Sequence, residues 1–183
     1  MKIIKIEKVF SGKFLNLFKK VFITQSNQEG IWEYVEYPNP NKCGVVIFAL
    51  TKNNEVLLEK IFRVPRGDYV IELPAGAVEI ETETITEGAK RELLEETGFL
   101  AEKITPILSA VSAPGLAKLE IVYCFASDIE FVGPQQCDDE EEIEVIKIPL
   151  DELVDFVIEQ SKINKVEDNI LSILPILQKK GLI

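Results

Sequence analysis

The beginning of the chain alternates apolar and polar side chains, a period that is typical of strands with one buried face. Three segments follow this pattern, and the turn sequence NQEG lies between the second and the third: 2–10 (KIIKIEKVF), 19–25 (KKVFITQ) and 31–37 (IWEYVEY). The stretch YPNPNKCG comes next, and its Pro, Asn and Gly residues indicate a joint between two units. We therefore predict a small N-terminal antiparallel β-sheet in residues 1–42 and a main domain in residues 43–183.

The main domain alternates strand-like and helix-like runs. Apolar runs rich in Val, Ile, Leu and Phe predict strands at 44–50, 55–62, 104–111, 119–126 and 143–150. Two helical stretches follow at 150–160 and 166–180, and Pro175 interrupts or kinks the second. This order predicts an α/β (α+β) fold in which helices pack against the faces of a mixed sheet.

One more helix is predicted in the middle of the chain, after an acidic loop. Its apolar residues repeat at the four-residue spacing of a single face, which would turn toward the core: Ile85, Ala89 and Leu93. Either Thr84 or Thr86 can cap its N-terminus, and Gly98 stands where helices commonly stop.

Charge and composition exclude several classes of function. The formal net charge is -11, and no cluster of Lys and Arg stands out that could follow a phosphate backbone, so we expect no nucleic-acid partner. The chain contains no histidine, which excludes Ser-His-Asp triads, Cys-His pairs and His-ligated metal sites. Acid–base chemistry must therefore come from carboxylates, Lys, Tyr or metal-bound water.

The cysteines and the apolar runs indicate where the protein works. Cys43, Cys124 and Cys137 are far apart and form no CxxC pair, so we expect free thiols in a reducing compartment. The longest apolar run, VVIFAL at 45–50, is far too short to span a bilayer. We therefore predict a cytoplasmic protein with no membrane partner.

The sequence RELLEETGF at 91–99 crowds carboxylates onto the central helix. Glu92, Glu95 and Glu96 lie at positions i, i+3 and i+4, and so project from one face. Like charges at these spacings weaken an isolated helix by a few tenths of a kcal/mol per pair, roughly, so some other interaction should offset the repulsion. The face is either a solvated acidic surface or a site for a hard divalent cation such as Mg²⁺ or Mn²⁺, which prefers carboxylate oxygens.

The spacing from Glu83 to Phe99 resembles the Nudix box. In that motif a glycine and five residues precede a glutamate, seven residues follow, and Arg-Glu-aliphatic, Glu-Glu and Gly-aliphatic complete the pattern. Glu83 is followed by seven residues and then by REL, EE and GF, with single residues between them. Gly76, however, precedes Glu83 by seven positions rather than six. An extra loop residue costs little stability, so the implied fold stands while the placement of Glu83 stays open.

The resemblance implies a Nudix-type α/β/α sandwich with a mixed sheet, and a loop–helix–loop that binds Mg²⁺ or Mn²⁺. By position, Glu92 and Glu96 would be metal ligands, and Glu95 would be a further ligand or a catalytic residue that positions water. The backbone carbonyl of Ala75 would also bind the metal. Arg91, which we group with the catalytic residues, would hold the helix and the loop in place. The structural residues of the box would be Gly76, Glu83 and Gly98.

Residues outside the box are similar to the ADP-ribose pyrophosphatase branch of the Nudix hydrolases. The similarity rests on ELPAG at 72–76, an arginine in KIFRVP, a proline 15 residues after Phe99 and the small N-terminal sheet. It implies that substrate is bound by Arg63, Glu72 and Pro114, and that adenine stacks on Trp32 and Tyr34. Because the branch commonly dimerises by exchanging this sheet, whose residues then complete the adenine pocket of the partner, we also expect a homodimer.

The late acidic loop would supply the catalytic base, and three candidates stay open: Glu140, Glu141 and Glu142. The chain departs from the branch after SAPG, where it reads LAKL and places Glu120 one position late. Recognition of the terminal sugar is therefore open as well.

These observations predict a divalent-metal-dependent hydrolase that cleaves the pyrophosphate bond of ADP-ribose or a related ADP-sugar, giving AMP and a sugar phosphate. Three alternatives remain at this point. The substrate could be another nucleoside diphosphate derivative, such as a GDP-sugar or a dinucleotide. The chain could be a Nudix-fold module that binds a nucleotide without cleaving it, or a structural cation-binding protein.

Overall fold

The computed structural model describes residues 1–137 and 142–183. In these two ranges the chain forms twelve β-strands and four α-helices. The strands are β1 Lys2–Ser11, β2 Asn16–Ile23, β3 Glu29–Glu36, β4 Lys42–Thr51, β5 Glu55–Arg63, β6 Asp68–Glu72, β7 Ala75–Glu79, β8 Phe99–Leu100, β9 Ile104–Ser112, β10 Leu119–Phe131, β11 Ile143–Pro149 and β12 Lys165–Val166. The helices are α1 Ile85–Thr97, α2 Leu153–Gln160, α3 Asn169–Ser172 and α4 Leu174–Lys179.

The first three strands form the predicted small antiparallel sheet, in the order β1-β2-β3. Its third strand meets the segment after β9, because the Val35 amide donates to the Leu116 carbonyl and the Val35 carbonyl accepts from the Lys118 amide, at 2.9 and 2.8 Å. The N-terminal sheet is thereby attached to the loop that contains Pro114. The division of the chain at residues 42 and 43 into two domains stays a prediction.

The larger sheet is mixed, as predicted, and β4 lies at its centre. This strand runs parallel to β10 on one side and antiparallel to β7 on the other, and it also begins a hairpin with β5. The next strand, β5, pairs antiparallel with both β6 and β11. The end of β6 and the start of β7 thus emerge beside the centre of the sheet, which places the ELPAG segment there.

Alternate residues of β4 are buried on opposite faces of the sheet, which explains its continuous apolar run. One face packs against α1, and this core includes Val45, Ile47, Ala49, Ala89 and Leu93. The other face packs against α2, α3 and α4, and this core includes Val46, Phe48, Leu50, Leu153, Val157, Ile170, Ile173 and Leu177. Helices therefore cover both faces, and the predicted α/β/α sandwich is confirmed.

The end of the chain differs from the prediction in detail. The helix predicted at 166–180 is wrong at its start, because Val166 lies in β12, a short strand parallel to β6. The remainder divides into α3 and α4, and Pro175 lies in the first turn of α4. Backbone amides in the first turn have no partner within the helix, so the missing N–H of proline costs nothing there. Within 1–137 and 142–183, no helix has the length and apolar character needed to cross a membrane.

Candidate active site

Helix α1 is fixed at both ends by its own sequence. Thr84, rather than Thr86, is the N-cap, and it forms a capping box in which its side chain accepts from the Glu87 amide while Glu87 accepts from the Thr84 amide. Gly98 ends the helix with φ of 72°, a left-handed conformation in which its amide donates to the Leu94 carbonyl. A side chain at Gly98 would also lie 2.1 Å from the Gly133 carbonyl oxygen.

Arg91 contacts the carboxylates of three glutamates in the box motif. Its guanidinium donates twice to Glu83, at 2.8 and 3.2 Å, and lies 3.0 Å from carboxylate oxygens of both Glu92 and Glu95. The hydrogen bond from Arg91 holds the pKa of Glu83 below its usual range. The extra loop residue therefore leaves Glu83 in reach of the helix. Arg91 also offsets the mutual repulsion of the glutamates on α1.

The carboxylates of Glu92 and Glu96 lie against the backbone of β7. The Ala77 amide donates to Glu92 Oε1 at 3.2 Å, and the Ala75 amide donates to Glu96 Oε2 at 3.1 Å. Gly76 lies between these two residues, and a Cβ there would be 2.0 Å from Glu92 Cδ. The glycine is therefore required because a carboxylate occupies the space of its missing side chain.

Two of the three glutamates are largely removed from solvent. Glu96 is 6% exposed, and the Glu92 side chain is 15% exposed. Burial raises the pKa of Glu92, and Arg91 and the Ala77 amide act in the opposite direction. The burial and the backbone contacts of Glu92 and Glu96 argue against a solvated acidic surface at these two positions.

The glutamates line a cavity of about 540 Å³, which we call the box cavity. Its walls include Ala75, Gly76, Ala77, Glu83, Arg91, Glu92, Glu95, Glu96, Gln136 and Cys137. In the described ranges no three acidic or thiol side chains converge closely enough to hold an ion unaided. The donors are nonetheless carboxylate oxygens, which suit Mg²⁺ or Mn²⁺ when water and substrate phosphate complete the coordination. The box cavity fits a metal shared with a substrate.

A second cavity, of about 310 Å³, adjoins the box cavity at Ala75, Gly76 and Ala77, and we call it the arginine cavity. Arg63 and Glu72 line it, and Arg63 Nε donates to Glu72 Oε1 at 2.7 Å. Burial raises the pKa of Glu72, while Arg63 acts to lower it. Glu120 and Glu167 line the same space.

A third cavity, of about 470 Å³, is mainly apolar, and we call it the aromatic cavity. It adjoins the arginine cavity at Leu119 and Glu120, and it brings together Trp32, Tyr34 and Pro114. The indole of Trp32 donates to the Gly115 carbonyl at 2.8 Å, which fixes the ring beside the proline loop. Tyr34 is 8% exposed and its ring stacks on Phe18, with a centroid distance of 5.5 Å.

The three candidate bases stay predictions. Glu140 and Glu141 lie outside the described residues, as does the rest of 138–141. Glu142 precedes β11, is exposed, and is not part of the wall of the box cavity.

Several lining residues were not found from the sequence. Gln136 and Cys137 reach the box cavity because the Gln136 amide donates to the Glu95 carbonyl at 2.7 Å, a contact between segments distant in sequence. Lys42 also borders this cavity and lies 3.8 Å from a Glu79 oxygen. Glu167, which lines the arginine cavity, belongs to no sequence motif described above. None of these positions had a local signal, since only chain folding brings them to the site.

The chain is similar to known proteins over most of its length. The model of the NUDIX domain family matches residues 40–170. An ADP-ribose pyrophosphatase from Bacillus subtilis is 32% identical over 85% of this chain and 82% of its own length. A GDP-mannose pyrophosphatase from Yersinia enterocolitica is 25% identical over 82% of this chain and 85% of its own length.

A solved structure described as an ADP compounds hydrolase shares the fold. Its TM-score is 0.82 at 21% sequence identity, and the match covers 99% of this chain and 95% of that one. The family model spans most of the chain, and the Bacillus relative is similar over nearly the same length. The chain therefore belongs to the NUDIX domain family, and it is a Nudix hydrolase.

Proposed function

We propose that this protein hydrolyses the pyrophosphate bond of ADP-ribose or a related ADP-sugar, in a reaction that depends on a divalent metal ion. Water would attack one phosphorus as the bond from that phosphorus to the bridging oxygen breaks, and the products would be AMP and a sugar phosphate. One observation carries the proposal: three glutamates of α1 line a cavity beside the β7 backbone, and this cavity is the first of three that share lining residues in series.

Glu92, Glu95, Glu96 and the Ala75 carbonyl are the groups that would hold Mg²⁺ or Mn²⁺. When bound, such an ion neutralises pyrophosphate charge and lowers the pKa of a coordinated water. The residues of the chain supply position: Arg91 keeps Glu92 and Glu95 on one side of the cavity, and the Ala75 and Ala77 amides hold Glu96 and Glu92 against β7.

The order of the three cavities suits a substrate with an aromatic base at one end and a pyrophosphate at the other. The box cavity would receive the pyrophosphate, and the aromatic cavity would receive adenine beside Trp32 and Tyr34. The arginine cavity joins the two through shared walls, so Arg63 and Glu72 would contact the intervening part of the substrate. Pro114 would shape the entrance to the base site.

Two further elements complete the proposal. A glutamate among Glu140, Glu141 and Glu142 would act as the base, since the neighbouring Gln136 and Cys137 already line the box cavity. The N-terminal sheet would form a homodimer, because β1 exposes a row of apolar side chains: Ile3, Ile4, Ile6, Val9 and Phe10. Analytical ultracentrifugation would report a monomer if that expectation is wrong.

A different nucleoside diphosphate sugar is the second candidate substrate. It is favoured by the similarity to the Yersinia protein described as a GDP-mannose pyrophosphatase, because 25% identity over 82% of this chain leaves the base and sugar pockets free to differ. The alternative that is not an enzyme is a module that binds a nucleotide without hydrolysing it. The full set of glutamates on α1 argues against it, since binding alone would not require all three.

The experiment is a hydrolysis panel with ADP-ribose, ADP-glucose, GDP-mannose, NADH and diadenosine polyphosphates, each with Mg²⁺ or Mn²⁺. Glu96→Gln should lower kcat/KM at least about a hundredfold, because a charged metal ligand becomes a neutral amide of the same size. Glu159→Gln, on the solvent side of α2, removes the same charge and should match wild type. If no compound turns over while ADP-ribose still raises the melting temperature, the protein is a binding module and the proposal fails.

A further inference from the structure

Glu167 lies on the wall of the arginine cavity, together with Arg63 and Glu72. Its position is set by the backbone, because its amide donates to the Ile71 carbonyl at 2.9 Å and so extends the pairing of β12 with β6. Nothing in the box motif or in the resemblance involves this residue. Chain folding alone brings Glu167 beside the pair of Arg63 and Glu72.

The carboxyl group of Glu167 is held in one orientation. Asn169 Nδ2 donates to Glu167 Oε1 at 2.7 Å, and the Tyr123 hydroxyl donates to Asn169 Oδ1, which fixes the direction of the amide. The second oxygen, Oε2, is buried and has no hydrogen-bond partner among residues 1–137 and 142–183. A buried polar atom without a partner is costly, and it commonly marks a place that another group completes.

The charges around Glu167 indicate what kind of group would pair with its Oε2. Burial, and then the neighbouring carboxylate of Glu72, raise the pKa of Glu167 to about 7, against a weaker opposing effect of Asn169. Three carboxyl groups, those of Glu72, Glu120 and Glu167, and one guanidinium, that of Arg63, line the arginine cavity, so the wall repels a phosphate. A hydroxyl group fits, because it can donate to a carboxylate and can accept from a protonated carboxyl.

We propose that Glu167 is a substrate-binding residue, which with Arg63 and Glu72 binds a hydroxyl group of the sugar in the nucleoside diphosphate sugar. This inference rests on the proposed function. The hydroxyl belongs to the ribose of the nucleoside or to the terminal sugar, and Oε2 gains its missing partner from it. Because Oε2 is covered in the free protein, binding includes a small adjustment of the cavity side chains.

The test combines Glu167→Gln with analogues of ADP-ribose that each lack one hydroxyl of the adenosine ribose or of the terminal ribose. The substitution keeps the size of the side chain and turns an acceptor into an amide donor. At pH 8, kcat/KM for ADP-ribose should fall about ten- to hundredfold, as expected for a hydrogen bond to a charged group. The loss should vanish for the analogue that lacks the bound hydroxyl, which identifies the sugar.

Glu159→Gln is the matched control, because it makes the same change at an exposed residue of α2 and should leave kcat/KM unchanged. At pH 8 the melting temperature of Glu167→Gln should equal or exceed that of wild type, since the substitution removes a buried charge and its carbonyl oxygen can still accept from Asn169.

The inference is overturned if Glu167→Gln matches wild type, or if it loses activity equally on every analogue while its melting temperature falls. In those cases wild-type turnover leaves the proposed function intact. If wild type hydrolyses no compound, both proposals fail together.

Discussion

Replacing Gly76 by alanine tests whether the Glu92 carboxylate must lie against the β7 backbone. The added Cβ would stand 2.0 Å from Glu92 Cδ and 2.3 and 2.4 Å from its two oxygens. Ordinary carbon–carbon contact begins near 3.4 Å, so the carboxylate must move by about 1.4 Å. The Ala77 amide, at 3.2 Å from Glu92 Oε1, would then lose its acceptor.

The expected effect on catalysis is large and the effect on stability is modest. Metal sites hold their ligand distances to about 0.2 Å, and a displacement of about 1 Å at a reacting group costs about a hundredfold in rate. We therefore expect kcat/KM of Gly76→Ala to fall at least about a hundredfold, with a higher Mg²⁺ concentration needed for half-maximal rate. Overpacking at a partly exposed position should lower the free energy of unfolding by about 1–3 kcal/mol.

Initial rates measured across a Mg²⁺ titration, with urea unfolding of the same samples, separate the two effects. Gly133→Ala is the matched control, because its Cβ meets nothing within 4 Å and it should behave as wild type in both measurements. A Gly76→Ala protein with wild-type kcat/KM and wild-type Mg²⁺ dependence would refute the reasoning, since Glu92 would then have no need of that position.

Three other predictions concern the elements around the site. Thr84→Ala should lower the free energy of unfolding, measured in urea, by about 1 kcal/mol, whereas Thr86→Ala should have little effect. A larger effect of Thr86→Ala would show that the cap is assigned to the wrong residue. Arg91→Lys should lose the double contact with Glu83 and lower the melting temperature by about 2–4 °C; an unchanged value would mean that the contact carries no stability. Because the pKa of Glu167 rises from 4.5 to about 7 on folding, its stabilising contribution is complete below pH 4.5 and is lost as the pH rises through 7. Wild type should therefore lose up to about 3 kcal/mol of its free energy of unfolding between pH 5 and pH 8 through this group, and Glu167→Gln should not. Urea unfolding at both pH values measures this loss, and an equal loss in both proteins would contradict the assignment.

Local patterns in the sequence sufficed for much of the fold. The apolar run at 44–50 predicted a strand, and the order of strands and helices predicted helices against the faces of a mixed sheet; both faces of β4 are covered by helices. The spacing of Ala89 and Leu93 indicated which side of α1 faces the core, and the spacing of Glu92, Glu95 and Glu96 indicated that these glutamates share one side of the helix. These features repeat within a few residues, so the backbone geometry of a single helix or strand is enough to interpret them.

Other features needed more than local pattern. The end of the chain reads as one apolar helical stretch, but pairing with β6 takes Val166 into a strand, and a tertiary hydrogen bond outweighs a weak helical preference. Thr84 and Thr86 were both candidate caps, although the glutamate three residues after Thr84 already matched the capping-box pattern. The side chain of Glu87 and the loop that begins at Glu79 decided between them.

The substrate side of the site depended almost wholly on tertiary structure. The sequence determined that this chain has a glutamate-bearing helix between two loops, because that motif is contiguous and its geometry is helical. Only the folded chain decided that Trp32 meets the Pro114 loop and that Glu167 joins Arg63 and Glu72. The physical reason is that these contacts join strands distant in sequence, and the order of strands in a sheet is set by the burial of the whole core, which no short segment encodes.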